Sequence, residues 1–214
     1  MKSDRVLKKK KERTERKREM AKSNLREDIL TAARELFNKE GYGKVSMRRI
    51  AAALGIAIGN LTYYFPKKQI IVDALMEDSF HFVLSPESED VTLQAFHSLL
   101  YRMLTVMEQN AFFFLDDGFD GSKNHEHHLL VRSHLQTLLE KLTQEGYFVP
   151  SFDAQTRETV LQMLLMTHLT WLKLHRVGEG GKYSSKEAFL EAHWTILAPY
   201  LTKKGKEAVL CLHP

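Results

Sequence analysis

Residues 46–65 read SMRRIAAALGIAIGNLTYYF, and the rest of the chain is organised around this stretch. Ser46 stands where an N-cap is needed, because its side-chain oxygen can accept from a free amide of the first turn. A short helix then runs through Arg48, Ile50, Ala53 and Leu54. Gly55 supplies the turn, and a further short helix carries Ile58 to Tyr64. Ala51, Leu54, Ile56 and Leu61 fall at spacings that lock the two helices, which leaves Asn60, Thr62, Tyr63 and Tyr64 for a polar outer face.

Upstream, Leu25, Ile29, Ala33, Leu36 and Phe37 recur at helical spacing between charged residues, which predicts an amphipathic first helix stopped by Gly41 and Gly43. Downstream, Pro66 opens a longer fourth helix through Ile70, Ala74, Leu75 and Met76. Three small helices, the last two joined by a glycine turn, are the ingredients of a helix-turn-helix. The third is narrow enough to enter a major groove about 12 Å wide.

Net charge gives this geometry a direction. Residues 1–22 hold eleven Lys/Arg against four Asp/Glu, and residues 23–68 hold eight against four. Residues 69–214 hold twelve against nineteen, so a basic end is joined to an acidic body. Such an end attracts phosphates while the body repels them. The expected division is a basic arm at 1–22, a helix-turn-helix domain at 23–68 and a helical body at 69–214. The arm holds almost nothing able to join a core, and it reads as a solvated tail or as a basic arm along DNA.

Beyond residue 84, segments near 91–109, 111–118, 125–145, 154–177 and 185–200 keep apolar periods of three and four. Pro86, Gly118–Gly121, Gly146–Pro150 and Gly178–Gly181 separate them, and no stretch alternates as a half-buried strand does. The fold class is therefore all-α, with small helices in front and a larger bundle behind.

From Ile29 to Met76 the chain resembles the DNA-binding domain of TetR/AcrR-type repressors. The resemblance rests on AARELF in the first helix, a GY turn, Ser-x-Arg-x-Ile-Ala, Leu-Gly-Ile, Gly-x-Leu and YFPKK. It implies a ligand-binding and dimerisation domain behind, and a double-stranded operator as partner. It implies that Ser46 caps the second helix and that Arg48 and Arg49 contact backbone or base edges. Asn60 and Thr62 would then face bases, Ile58 would offer methyl contact or packing, and Tyr63, Tyr64 and Lys68 would hold phosphates. For one of the two tyrosines, packing inward against the first helix is the equal alternative. Ala57 stands where such proteins often carry a Ser or Thr cap, Thr62 where they often carry Tyr, and Arg49 where an acid is common.

In the body, Val160 to Leu174 is apolar on most sides and reads as a helix buried all round. Phe189, Trp194, Ile196, Leu197, Tyr200 and Leu201 give the last helix a broad apolar face. By the resemblance, the helices at about 154–177 and 185–200 pair with their copies in a homodimer. Phe80, Met103, Met107, Phe113, Phe114 and Trp171, with Phe82, Phe112 and Phe119, are either plain core or the walls of an apolar cavity. His134 and His168 are the candidates to anchor the polar end of a ligand there.

Other chemistries are set aside. Cys211 is the single cysteine, so no intramolecular disulfide or multi-cysteine metal site can form. His125 and His128 are three apart, but they complete no set of three or four ligands, so no metal or cofactor is expected. No nucleophile–base pair can be assembled, so the chain is not expected to be an enzyme. The N-terminus has no apolar signal region, and Gln162, His168 and Lys173 interrupt the longest apolar run, so a cytoplasmic protein without membrane segments is expected. The leading expectation is a repressor released from a palindromic operator by an apolar or aromatic small molecule. The alternative is a DNA-binding regulator without a small ligand, controlled by a protein partner or acting as a nucleoid factor.

Overall fold

The computed structural model describes residues 24–85, 90–115 and 122–212, without the side chains of 122–128. The arm at 1–22, Phe119, and the side chains of His125 and His128 lie outside the described residues. The described residues are helical with no strand, and the chain divides into two units between Glu77 and Asp78.

The first unit begins with α1 (24–40), which buries Ile29, Leu30, Ala33, Leu36 and Phe37 as its periodicity requires. α2 (Met47–Ala53) starts at Ser46, whose Oγ accepts from Arg49 N at 3.2 Å. Its end is a Schellman closure: Gly55 N donates to Ala52 O at 3.2 Å and Ile56 N to Ala51 O at 3.0 Å. Gly55 has φ +65°, a left-handed conformation that a side chain would strain. α3 (Ile58–Tyr64) follows, with Leu61 fully buried. Ala57 precedes it in extended conformation and offers no side-chain cap. α4 (Lys68–Leu84) buries Ile71, Val72, Leu75 and Met76, and the division between the units falls within it.

The second unit is arranged around α5 (Leu93–Gln109), capped by Thr92 and buried along much of its length. α6 (Ala111–Leu115) carries Phe112, Phe113 and Phe114 edge to edge, with ring centroids 6.3 and 5.4 Å apart. α7 (Ser122–Gln144) contributes Leu135, Leu139 and Leu142 to the core. α8 (Ala154–Val177), capped by Asp153, contributes Leu161, Leu164, Leu165, Trp171 and Leu172. α9 (Lys186–Leu197), capped by Ser185, turns Phe189, Leu190, His193, Trp194 and Leu197 inward.

Two features depart from the sequence reading. α8 is not buried all round: Met163 is 57% exposed, Met166 59% and Leu169 44%. Its apolar residues occupy both faces, and a single chain covers only one. The chain also forms one more helix, α10 (Lys203–Val209), started by Thr202. This helix is short and lysine-rich, so it carries little apolar periodicity. Its Gly205 lies so close to Tyr147 that an added Cβ would sit 2.3 Å from that residue's carbonyl oxygen.

Candidate DNA-binding interface

Between Gly41 and Gln69 the sequence holds five basic residues and no acidic one. The fold distributes them unequally. Arg48 is exposed and makes no hydrogen bond or ion pair among the described residues. Arg49 is also exposed, but its guanidinium meets Glu40 Oε1 at 2.8 Å, which neutralises part of its charge. Lys44 and Lys67 are exposed without a partner among the described residues.

Lys68 is committed to the protein. Its Nζ donates to the carbonyls of Tyr42 at 2.6 Å and Val45 at 3.0 Å, so it fastens the α1–α2 loop to the start of α4. Tyr42 completes the clasp, donating its hydroxyl to Gln69 Oε1 at 3.2 Å. Burial, and then the Asp73 carboxylate, push the Tyr42 phenol above its ordinary range. The resemblance assigns Lys68 to phosphate, whereas the fold commits it to two carbonyls and leaves its neighbour Lys67 exposed. Only the loop that returns to α4 distinguishes them, and that loop is not visible in spacing.

On α3, Asn60 and Thr62 are exposed, Ile58 is 41% exposed and Tyr63 70%. Tyr64 is half-buried and meets Tyr63 edge-on, with centroids 5.3 Å apart. Thr62 Oγ1 lies 3.1 Å from Ile58 O and 3.2 Å from Gly59 O, so its hydroxyl hydrogen is spent on its own helix. What remains outward is an amide side chain suited to a base edge, a phenol suited to phosphate, and an isoleucine suited to a thymine methyl. An open depression of about 440 Å³ elsewhere in this unit is lined by Asp28, Glu35, Lys39 and Leu54. Its acidic rim would repel phosphate, so it forms no part of the reading face.

The residues expected around a ligand are only partly brought together. Met107 and Trp171 belong to one buried cluster, and Met103 and Phe114 pack against it. Phe113 is buried edge-on to Phe114. His168 is buried beside Phe189, with ring centroids 5.5 Å apart. Phe80 is half-buried on α4, and Phe82 is 48% exposed. His134 is exposed, because the inward face of α7 is set by Leu135, Leu139 and Leu142 and residue 134 falls outside it. A second buried histidine, His193, was passed over by the sequence reading. It occupies an inward position of α9 between Phe189 and Leu197, a helical register that marks it as core-facing.

No helix among the described residues is long and apolar enough to cross a membrane.

Comparison with known proteins places this interface in a lineage. Residues 29–75 match the model of the family described as bacterial regulatory proteins, tetR family. The nucleoid occlusion factor SlmA of Cronobacter sakazakii is 27% identical over 202 residues, which cover 86% of this chain and 98% of that protein. The HTH-type transcriptional regulator RutR of Escherichia coli K12 is 32% identical over 74 residues, 35% of each chain. A TetR-family transcriptional regulator from Marinobacter aquaeolei VT8 shares the fold with a TM-score of 0.73 at 23% identity, over 87% of this chain and 95% of that one. Residues 29–75 therefore carry a helix-turn-helix domain of the tetR family, and the chain as a whole shares its fold with a TetR-family transcriptional regulator.

Proposed function

We propose that the chain acts as a homodimeric repressor on a palindromic operator, and that an apolar or aromatic small molecule bound in its second unit releases it. The observation that carries the DNA half is the outer face of α3, where Asn60 and Tyr63 stand exposed in a stretch without a single acidic residue. Arg48, Lys44 and Lys67 are exposed cations without a partner among the described residues, and Ser46 fixes the helix that carries Arg48. The dimer half rests on Met163, Met166 and Leu169 of α8 and Ile196 of α9, large apolar side chains that one chain leaves in water. Two copies related by a two-fold axis would bury this stripe and present two reading helices about 34 Å apart, the spacing of successive major grooves.

A second reading has its own support. The nucleoid occlusion factor SlmA resembles this chain across nearly its whole length. In that reading the chain is a DNA-bound factor controlled by a protein partner. Genome-wide footprinting of the bound sites separates the two. A repressor of this kind gives a few sites beside promoters, and deletion raises transcription there. Many sites spread over the chromosome, with transcription unchanged, would overturn the repressor reading. In vitro, Arg48→Ala should weaken operator binding in a gel shift while leaving the helical signal intact.

A further inference from the structure

Where α8 meets α9, two imidazoles lie face to edge inside the protein. His168 and His193 are each 2% exposed, with ring centroids 5.1 Å apart. Each ring spends one nitrogen on its own helix. His168 Nδ1 is 2.8 Å from Leu164 O, and His193 Nδ1 is 2.9 Å from Phe189 O. A carbonyl oxygen can only accept, so the proton of each neutral ring sits on Nδ1 and leaves Nε2 a bare lone pair. Both Nε2 atoms are buried without a hydrogen-bond partner.

The surroundings keep the rings neutral and the lone pairs unmet. Desolvation, then the proximity of His193, pushes His168 down to about 3. Desolvation also lowers His193, with the Phe189 and Leu164 carbonyls pulling the other way. Phe189 meets both imidazoles edge-on, at 5.5 and 4.5 Å, and Trp171 stacks on Phe189 at 5.5 Å. The two indole donors close by are already committed: Trp171 Nε1 to Tyr183 O at 2.9 Å, and Trp194 Nε1 to His97 Nδ1 at 3.0 Å. Buried acceptors left unmet cost stability, and native proteins keep few of them without a use.

We propose that His168 and His193 form the polar end of a small-molecule site between α8 and α9, selective for an apolar or aromatic molecule that brings a hydroxyl or N–H donor. A buried lone pair without a partner attracts a donor and repels an ionised carboxylate, which has none to offer. Phe189 and Trp171 supply the aromatic wall. The neighbouring segment 181–185 is exposed and is held by the Tyr183 carbonyl, which accepts from Trp171 Nε1, and by Ser184 O, 2.8 Å from His175 Nδ1. This site deepens the ligand-released reading above and rests on it.

The test uses the full chain with ¹⁵N-labelled histidine, and phenol, toluene and benzoate as probes. Phenol, with one O–H to donate, is expected to move one Nε2 resonance saturably from the free to the hydrogen-bonded position, and to raise the thermal midpoint. Toluene, of similar shape but without a donor, should bind about tenfold more weakly or worse, the worth of a buried hydrogen bond. Benzoate should not compete. His168→Phe should abolish the preference for phenol over toluene while keeping the circular dichroism of the parent. The comparison of probes on the unmodified chain stands even if that variant fails to fold. Equal binding of phenol and toluene, Nε2 resonances unmoved by phenol, or Nε2 already hydrogen-bonded in the free protein by a resident water would each overturn the proposal. Operator release is read separately. Phenol binding without release would sink the ligand-released reading and leave the site, whereas release by a molecule that leaves both resonances unmoved would do the reverse.

Discussion

Lys68 Nζ donates to the carbonyl of Tyr42 at 2.6 Å while resting 3.9 Å from the centre of that residue's own ring. A charge-assisted bond of this kind is worth about 1.5–3 kcal/mol, and the carbonyl of Val45 shares the same ammonium. Lys68→Met should therefore lower the unfolding free energy by roughly that amount. Lys67→Met, one residue earlier and exposed, should leave stability unchanged. It should instead weaken operator binding and reduce the slope of log K against log salt by about 0.9, one phosphate contact. Chemical denaturation and fluorescence anisotropy at several salt concentrations measure the two effects. If Lys67→Met leaves the salt slope intact, this lysine holds no phosphate.

The two helices of the motif are capped unequally, and this can be exploited in both directions. Ser46→Ala removes the acceptor for Arg49 N and should cost about 1 kcal/mol. Ala57 has the extended conformation of an N-cap, φ −66° and ψ 142°, without a side chain that can act as one. Ala57→Ser should add roughly 0.5–1 kcal/mol without disturbing the fold. Denaturation midpoints of the two variants should move in opposite directions. A neutral or destabilising Ala57→Ser would show that the start of α3 is already satisfied in another way.

Burial holds His97, His168 and His193 below the ordinary imidazole range, so the unfolded chain takes up protons more readily than the folded one. Stability is full above pH about 6.5, the unfolded value, and falls as pH drops below it, towards about 3 for His168. Each fully buried histidine contributes a slope of about 1.4 kcal/mol per pH unit in that window. The depressed carboxyls of Asp153 and Glu187 act lower on the scale, so measurements from pH 7.5 down to 5 isolate the imidazoles. His168→Phe should flatten the fall by about one proton equivalent. An unchanged slope would mean that His168 is not neutral in the fold.

The legible and the illegible parts of this molecule divide on a physical line. Gly55, Ser46 and, among the four residues expected to lock the two helices, Ala51 and Leu61 could be read because local geometry demands those residue types at those spacings, whereas Leu54 and Ile56 are only half-buried. The all-α class followed from periodicity that each helix carries within itself. What could not be read depends on partners far away in sequence. Lys68 turns to carbonyls 26 and 23 residues back, and His193 meets a ring 25 residues away on another helix. α8 misled for a related reason. Apolar residues on all sides say that a helix will be covered, but not whether its own chain or another does the covering.

That last distinction leads to the sharpest expectation. Met166 is 59% exposed and Met163 57% on the outer face of α8, with Ile196 49% exposed on α9. Burying such a side chain is worth about 1.5–3 kcal/mol, and in a two-fold interface each substitution counts twice. Met166→Asp also places an unpaired charge in that interface, so dimer dissociation should strengthen by at least about a hundredfold. Met166→Leu, apolar and of similar volume, should leave the dimer intact. Because the side chain faces outward in a single chain, helical content should be unchanged in both variants. The aspartate variant should elute as a monomer in light scattering at micromolar concentration and bind a single half-site about as well as the full palindrome. A dimer that survives Met166→Asp at the same concentration would move the interface off this face of α8, and the operator spacing derived from it would have to be abandoned.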